Sequence, residues 1–422
     1  MNEELIAVCP HYIGSLKYYD KLFLPLLKEN IEMIYLFRNN NEMEEYCKVN
    51  NRKYHIINQK STWEPLYRYR IKKEVREFIK KWKPKLVLQT NDMHVYNDII
   101  VKVAKRFKIL TLVLPWATTT PEEYNFKLRQ IKEYKYLSKL SKTQIIKMNF
   151  YNNIFKIINY PIFIIMGVYS NHKLSLGQGD SDLVGVINKY SKNLLIKQGV
   201  NEKKIKILGL LHFDDTLNAK NQSIANLRKK FKLKESEVSI VYFSQPFYKK
   251  DLSFLTLEAQ LNFLENLIAI ISEFYKEKRK NYKLFIKLHP AEELNDYERF
   301  SNMNDIQIIK DADNIELILA SDFCISFMST VILSVIALEK PILSLNILGL
   351  EAIEIGAKVA GVKECINTWD ELKINLDKLE DCEYSTLDNV DYDMLILDGK
   401  CYYRTINLIK NMVRITKLRI NS

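Results

Sequence analysis

The sequence predicts an α/β protein of two domains, each built on a parallel sheet. Three observations predict it. The 422 residues exceed what one compact core supports and suit two domains. Short apolar runs alternate with helical segments nearly throughout, the rhythm of a parallel sheet covered on both faces. That rhythm lapses after about residue 214 and starts afresh near residue 238, so the two halves are similar in kind.

The first strand is Leu5–Cys9, followed by the loop Pro10–Ser15. A helix is expected near Lys17–Glu29 and a second strand at Ile31–Leu36. Lys85–Gln89 and Leu110–Leu114 read as further strands. Each is short, apolar and preceded by a helical segment, as a strand buried on both faces should be. Residues 126–170 interrupt the pattern as an insertion. Between Phe126 and Lys156 eight basic residues stand against one acid, Glu133, and the apolar segment Ile157–Tyr169 follows. Alternation resumes at Leu183–Ile187, and Lys204–Asp214 is expected to supply the last strand of a first domain spanning 1–214. The polar, Asn- and Lys-rich stretch 215–237 reads as a linker.

The second domain, 238–400, opens with a strand at Val238–Ser244. An amphipathic helix follows, with Leu257, Leu261, Leu264, Ile268 and Ile271 at helical spacing. Strands are expected at Leu284–Leu288, Ile306–Ile309, Phe323–Ser326 and Pro341–Ser344, with a helix from about Thr330. A basic helix, Tyr403–Ile420, lies within 401–422.

Composition narrows the function classes. Hydrophobic residues make up 47% and charged residues 27%, the balance of a globular protein. The six cysteines are scattered and form no CxxC pair, which fits a reducing cytoplasm and argues against a disulfide framework or a structural zinc. No signal peptide is read at the N-terminus. The longest apolar stretch, Pro161–Tyr169, is about half the roughly 20 residues that span a bilayer. A net charge of +12 favours anionic partners. Nucleic acid is not expected among them, because Arg interleaved with aromatics on a sheet or recognition helix is missing.

Phosphate-binding glycine loops and the GxSxG and HExxH motifs are absent. His11, His55, His94, His172 and His212 are too scattered for a metal site and read as surface or cap residues. His289 differs. It ends a strand in Lys287-Leu-His-Pro290, and Pro290 stops pairing there. Ligands of open α/β sheets bind beyond the carboxyl ends of strands. A histidine so placed can donate to a phosphate oxygen or protonate a leaving phosphate. Lys287 is read as facing the same way. Some forty residues on, Ser326 ends another strand, and Ser329 and Thr330 stand where a helix begins, a ready anion site. Ser244-Gln245-Pro246 follows the first strand of this domain. On the first domain, Asp92 follows the strand ending at Gln89, while Glu122 and Glu123 follow the strand ending at Leu114. Any of the three is a candidate general base, and Asp92 is preferred.

Together these residues resemble the donor domain of GT-B glycosyltransferases, in the branch with an HP motif and a later Ser-Ser/Thr motif. That branch includes bacterial sialyl- and polysialyltransferases, capsule Kdo transferases and the polyol-phosphate transferases of teichoic acid synthesis. The resemblance rests on Lys287–Pro290, Ser326–Thr330 and Glu339-Lys-Pro341, and covers roughly residues 180–345. It implies two Rossmann-like domains facing across a cleft, with a C-terminal helix. It also implies a metal-independent, inverting transfer from a nucleotide-sugar, preferably CMP-linked, to a surface-glycan or lipid-linked acceptor. Donor phosphate is expected on His289, Ser326, Ser329 and Thr330, beside Ser244, Gln245, Lys287 and Pro290. No cofactor is required. A CDP-polyol phosphotransferase of the same fold is the first alternative, and a non-catalytic glycan-binding protein the second. The position where many relatives hold the ribose with Glu is Ser334 here. The basic-apolar segments 126–170 and 401–422 make an anionic membrane surface a further candidate partner, with the protein cytoplasmic and peripheral on the inner face.

Overall fold

The computed structural model describes residues 4–58, 63–114, 141–170, 176–249, 255–327, 329–381 and 395–421. They form two compact units. One holds the described residues of Met1–Glu122 and Tyr134–Leu211 with Lys400–Ser422. The other holds those of His212–Gly399.

The first unit carries seven strands: β1 (Glu4–Cys9), β2 (Ile31–Arg38), β3 (Lys53–Ile57), β4 (Leu86–Gln89), β5 (Leu110–Val113), β6 (Leu183–Val186) and β7 (Ile205–Ile207). All pair in parallel, in the order β3-β2-β1-β4-β5-β6-β7. The second unit carries β8 (Val238–Phe243), β9 (Tyr282–Lys287), β10 (Ile306–Ile309), β11 (Phe323–Ser326) and β12 (Ile342–Ser344). These are also parallel, in the order β10-β9-β8-β11-β12. Strands β4, β5 and β11 are buried at every residue, which is why they are apolar without alternation. Helix Leu257–Glu277 buries Leu261, Leu264, Leu267, Ile268 and Ile271 in the core of the second unit.

Several boundaries differ from expectation for identifiable reasons. The helix expected near Lys17–Glu29 is two helices, Ile13–Asp20 and Phe23–Leu27. Ser15 starts the first early, its hydroxyl donating to Tyr12 O at 2.7 Å and accepting from His11 N at 3.0 Å. Pro25 has no N–H to continue it. Strand β3 is an edge strand whose side chains are mostly half-exposed, so no apolar run announces it. Within 204–214 only Ile205–Ile207 pairs, and helix Leu211–Ala219 follows. Gly209, at φ +80°, separates the two, and a Cβ there would meet Cys401 Sγ at 2.3 Å. Within 215–237, helix Ile224–Lys230 follows the end of Leu211–Ala219.

The C-terminal helix Cys401–Asn421 belongs to the first unit. Ile409, Met412 and Val413 are buried, Arg404 Nε donates to Leu208 O at 3.0 Å, and Thr416 Oγ1 accepts from Leu110 N at 3.3 Å. Its apolar face packs on its own unit through Ile409, Met412 and Val413, while Ile415, Leu418 and Ile420 stay exposed. Of the 126–170 insertion, 141–170 is described and is mainly helix Lys142–Ile165. Trp63 Nε1 donates to Asn159 Oδ1 at 3.1 Å and Lys72 Nζ to Met166 O at 2.7 Å, which ties the helix to Glu64–Trp82 and its approach. Elsewhere the helix leaves Ile157, Ile158, Ile164 and Ile165 exposed.

Candidate functional site

In the second unit, strand order reverses at β8, which lies between β9 and β11. The loops leaving these strands therefore flank the crevice where doubly wound sheets bind ligands. The His-Pro turn leaves β9. Pro290 is exposed and offers no N–H, so pairing stops and the chain turns, closed by Glu292 N donating to His289 O at 2.9 Å.

Glu292 then folds back beneath the turn and is fully buried. Its Oε2 accepts from His289 N at 2.8 Å. Its Oε1 accepts from Ser244 Oγ at 2.9 Å, from Gln260 Nε2 at 2.8 Å and from the Tyr297 hydroxyl. Gln260 Nε2 also reaches Tyr297 OH at 2.8 Å, and Gln260 Oε1 accepts from Phe247 N at 3.0 Å. Burial, followed by Glu292, pushes the Tyr297 phenol far up, so it remains a donor. One carboxyl group thus joins the loops after β8 and β9 to helix Leu257–Glu277.

His289 itself is half-buried. Its Nδ1 accepts from Ala291 N at 3.1 Å. That bond demands the tautomer with the proton on Nε2, making Nε2 a donor suited to a phosphate oxygen. Ser244 is brought to this turn directly, through Glu292, and Gln245 follows it, half-buried. Ser326 is adjacent by pairing, since it faces Phe243 in the β11–β8 register. Its buried hydroxyl has no hydrogen-bond partner among the described residues. Ser329 Oγ accepts from Val331 N at 3.3 Å, and Thr330 is exposed at the start of helix Val331–Ala337. Lys287 does not face the turn's ligand side. It is buried, and its Nζ donates to Lys310 O at 2.7 Å and Leu288 O at 3.3 Å, with burial lowering its pKa. Ser334, at the ribose position of the resemblance, is buried.

In the first unit, Asp92 is fully buried. Oδ1 accepts from Gly177 N at 2.8 Å and Oδ2 from Ser181 Oγ at 2.6 Å. The loop approaches so closely that a Cβ on Gly179 would stand 2.6 Å from Oδ2. Both oxygens of Asp92 therefore hold the 177–181 loop. Glu122 and Glu123 lie outside the described residues. His11 and His94, both read from sequence as surface or cap residues, stack with ring centroids 5.2 Å apart. Among the described residues no three His, Cys, Asp or Glu side chains gather as a metal cluster.

Sequence reasoning missed Glu292, Gln260 and Tyr297. Gln260 carried the available signal, as an amide on the buried face of an amphipathic helix.

Comparison with known proteins adds the following. Residues 165–346 match the family model described as CDP-Glycerol:Poly(glycerophosphate) glycerophosphotransferase. No curated protein matches the chain. Among solved structures, UDP-GlcNAc 2-epimerase from Neisseria meningitidis, bound to UDP-GlcNAc, is similar at TM-score 0.60 and 14% identity, covering 97% of this chain and 100% of that one. UDP-GlcNAc 2-epimerase from Methanocaldococcus jannaschii has TM-score 0.56 and 16% identity, over 96% and 99%. A glycosyltransferase from Rickettsia africae has TM-score 0.55 and 14% identity, over 100% and 98%. These likenesses show the fold: two Rossmann-like domains of the GT-B type, with a C-terminal helix.

Proposed function

We propose that this chain is a GT-B transferase that moves a polyol phosphate, such as glycerol phosphate, from a CDP-activated donor to a poly(polyol phosphate) acceptor. One observation carries the reading. The segment matching the glycerophosphotransferase family contains both the His289 turn, with its Glu292 anchor, and the Ser326–Thr330 stretch. That match favours a CDP-linked polyol over the CMP-linked sugar preferred from sequence.

In the proposed reaction an acceptor hydroxyl attacks the donor's polyol-bearing phosphorus. A new O–P bond forms, the P–O bond to the CMP oxygen breaks, and the hydroxyl proton passes to a base. Nε2–H of His289 donates to the departing CMP phosphate, and the Ser329 and Thr330 hydroxyls share its charge. Ser244, Gln245 and Pro290 shape the wall of this subsite. Asp92, with both oxygens engaged, is assigned to the 177–181 loop, leaving Glu122 and Glu123 as the carboxyls for the acceptor proton. No step calls on a metal.

Thermal unfolding with nucleotides tests the donor. A ligand that binds only the folded state raises Tm, by an amount equivalent to about 2.7 kcal/mol at a hundredfold excess over Kd. CDP-glycerol and CDP are expected to stabilise the protein more than UDP, GDP or ADP. Stabilisation by UDP alone would sink the proposal, and stabilisation by CMP-sugars but not CDP-glycerol would return the glycosyltransferase reading.

We further propose a peripheral station on an anionic membrane. Among the described residues no helix is long and apolar enough to cross one. Helix Lys142–Ile165 nevertheless exposes Ile157 at 74% and Ile165 at 84%, and no acid occurs between Glu133 and Asp180. Co-sedimentation with phosphatidylglycerol vesicles is expected, and is expected to weaken when Ile158 and Ile165 are both changed to Asp. Equal pelleting of that variant would reject this face.

A further inference from the structure

At the carboxyl ends of β1, β2 and β4 the first unit holds a cavity of about 220 Å³ lined by Pro10, His11, Arg38, Asn40, Met43 and Tyr96. The polar groups around it are mismatched with one another in a consistent direction. Arg38 ends β2 exposed, and no ion pair or hydrogen bond engages its guanidinium among the described residues; the centre of the Tyr67 ring lies 5.9 Å away. Arg52 shows the contrast, with Nε 2.7 Å from Asp20 Oδ1 and its guanidinium 3.6 Å from the Phe23 ring.

Tyr96 is 7% exposed, and its buried hydroxyl has no hydrogen-bond partner among the described residues. Burial pushes this phenol well up, so it keeps its proton. A buried hydroxyl left unmatched is costly, and the natural remedy is an acceptor from outside. Asn40 spends its Oδ1 on Met43 N at 2.9 Å, so its amide turns NH2 as the remaining polar end. His11 has its pKa lowered, first by burial and then by Arg38, while its ring is braced against His94. No Asp or Glu is among the lining residues. The cavity therefore collects donors around a cation and supplies no anion of its own.

We propose that this cavity is an oxyanion subsite that takes a phosphate group of the acceptor, held by the Arg38 guanidinium, the Tyr96 hydroxyl and the Asn40 amide, with His11 at its side. The acceptor's identity as a polyol phosphate rests on the reaction proposed above; the anion site rests on these residues alone. Guanidinium forks suit tetrahedral phosphate, and an anion seated here favours the charged form of His11. The bound phosphate thus reverses the electrostatic sign that His11 now experiences from Arg38.

The test uses the full chain with labelled histidines and no donor. Resonances are assigned by His11→Gln, and His11 is followed by NMR during titration with sn-glycerol 3-phosphate and inorganic phosphate. A saturable shift and an upward move of the His11 pKa are expected. Arg38→Gln should weaken the affinity roughly tenfold, as loss of a charge-assisted contact does. Tyr96→Phe should weaken it by a smaller factor, and His289→Ala should leave it unchanged. In turnover assays Arg38→Gln should raise the acceptor KM and leave the donor KM alone. No saturable effect, an equal effect in Arg38→Gln, or the same effect from chloride at matched ionic strength overturns the subsite. If glycerol 3-phosphate binds but no CDP-linked donor is used, the reaction reading falls and the anion site stands. If the donor is used and His11 never responds, the subsite alone falls.

Discussion

His289→Ala is expected to lower kcat by roughly 10²–10³-fold, the usual span for loss of one positioned donor to a developing charge. The argument is geometric. Ala291 N–H holds Nδ1, so the ring presents its proton at Nε2 and does so in one orientation. A phosphate leaving group gains negative charge as its bond breaks, so a fixed donor matters more in the transition state than in the ground state. The side chain is half-buried and its removal leaves the Glu292 network intact, because that network grips the backbone N–H of His289. Thermal stability without ligand should therefore stay within about 1 kcal/mol of the parent, while CDP stabilises the variant less. Single-turnover kinetics check this. A variant retaining a tenth or more of the parent rate would remove His289 from the leaving-group step.

Glu292→Gln should damage both stability and rate. Four donors converge on this carboxyl: His289 N–H, Ser244 O–H, Gln260 N–H and Tyr297 O–H. An amide offers one accepting oxygen, and its NH2 must face some of these donors. The two hydroxyls can rotate away, but the N–H groups of His289 and Gln260 cannot, so at least one is orphaned. Each orphaned buried donor costs about 1–3 kcal/mol. For a unit of this size a kilocalorie corresponds to roughly 2–4 °C, so Tm should fall by roughly 2–12 °C. Because the loops after β8 and β9 share this anchor, kcat should fall as well, even well below the new Tm. Ser244→Ala, which removes one rotatable donor, should be much milder. Unchanged Tm and turnover in Glu292→Gln would mean the network does not position the turn.

What the sequence made legible follows from where each signal is stored. Strands β4, β5 and β11 announce themselves because burial on both faces leaves a continuous apolar run. Strand β3 does not, because an edge strand with half-exposed side chains has no such run. His289 was visible because a histidine followed by proline at a strand end is a local pattern. Glu292 and Gln260 were not, because they meet across 32 positions and only the folded unit brings them together. Asp92 illustrates the same limit. Its place after β4 is common to catalytic carboxyls and to buried acceptors, and its partners Gly177 and Ser181 lie 85 and 89 positions away.

The return of helix Cys401–Asn421 to the first unit has a consequence for how the protein is made. The bond between Thr416 and Leu110 closes a span of 306 positions, with the whole of the second unit's sequence lying between them. Domains generally fold as units while the chain emerges from the ribosome. Here the unit translated second is the first whose sequence is complete. The seven-stranded sheet must wait, with the strip that Ile409, Met412 and Val413 later cover still open to water, until helix Cys401–Asn421 has left the exit tunnel. Synthesis thus passes through an interval in which the five-stranded unit can be finished and the seven-stranded unit cannot.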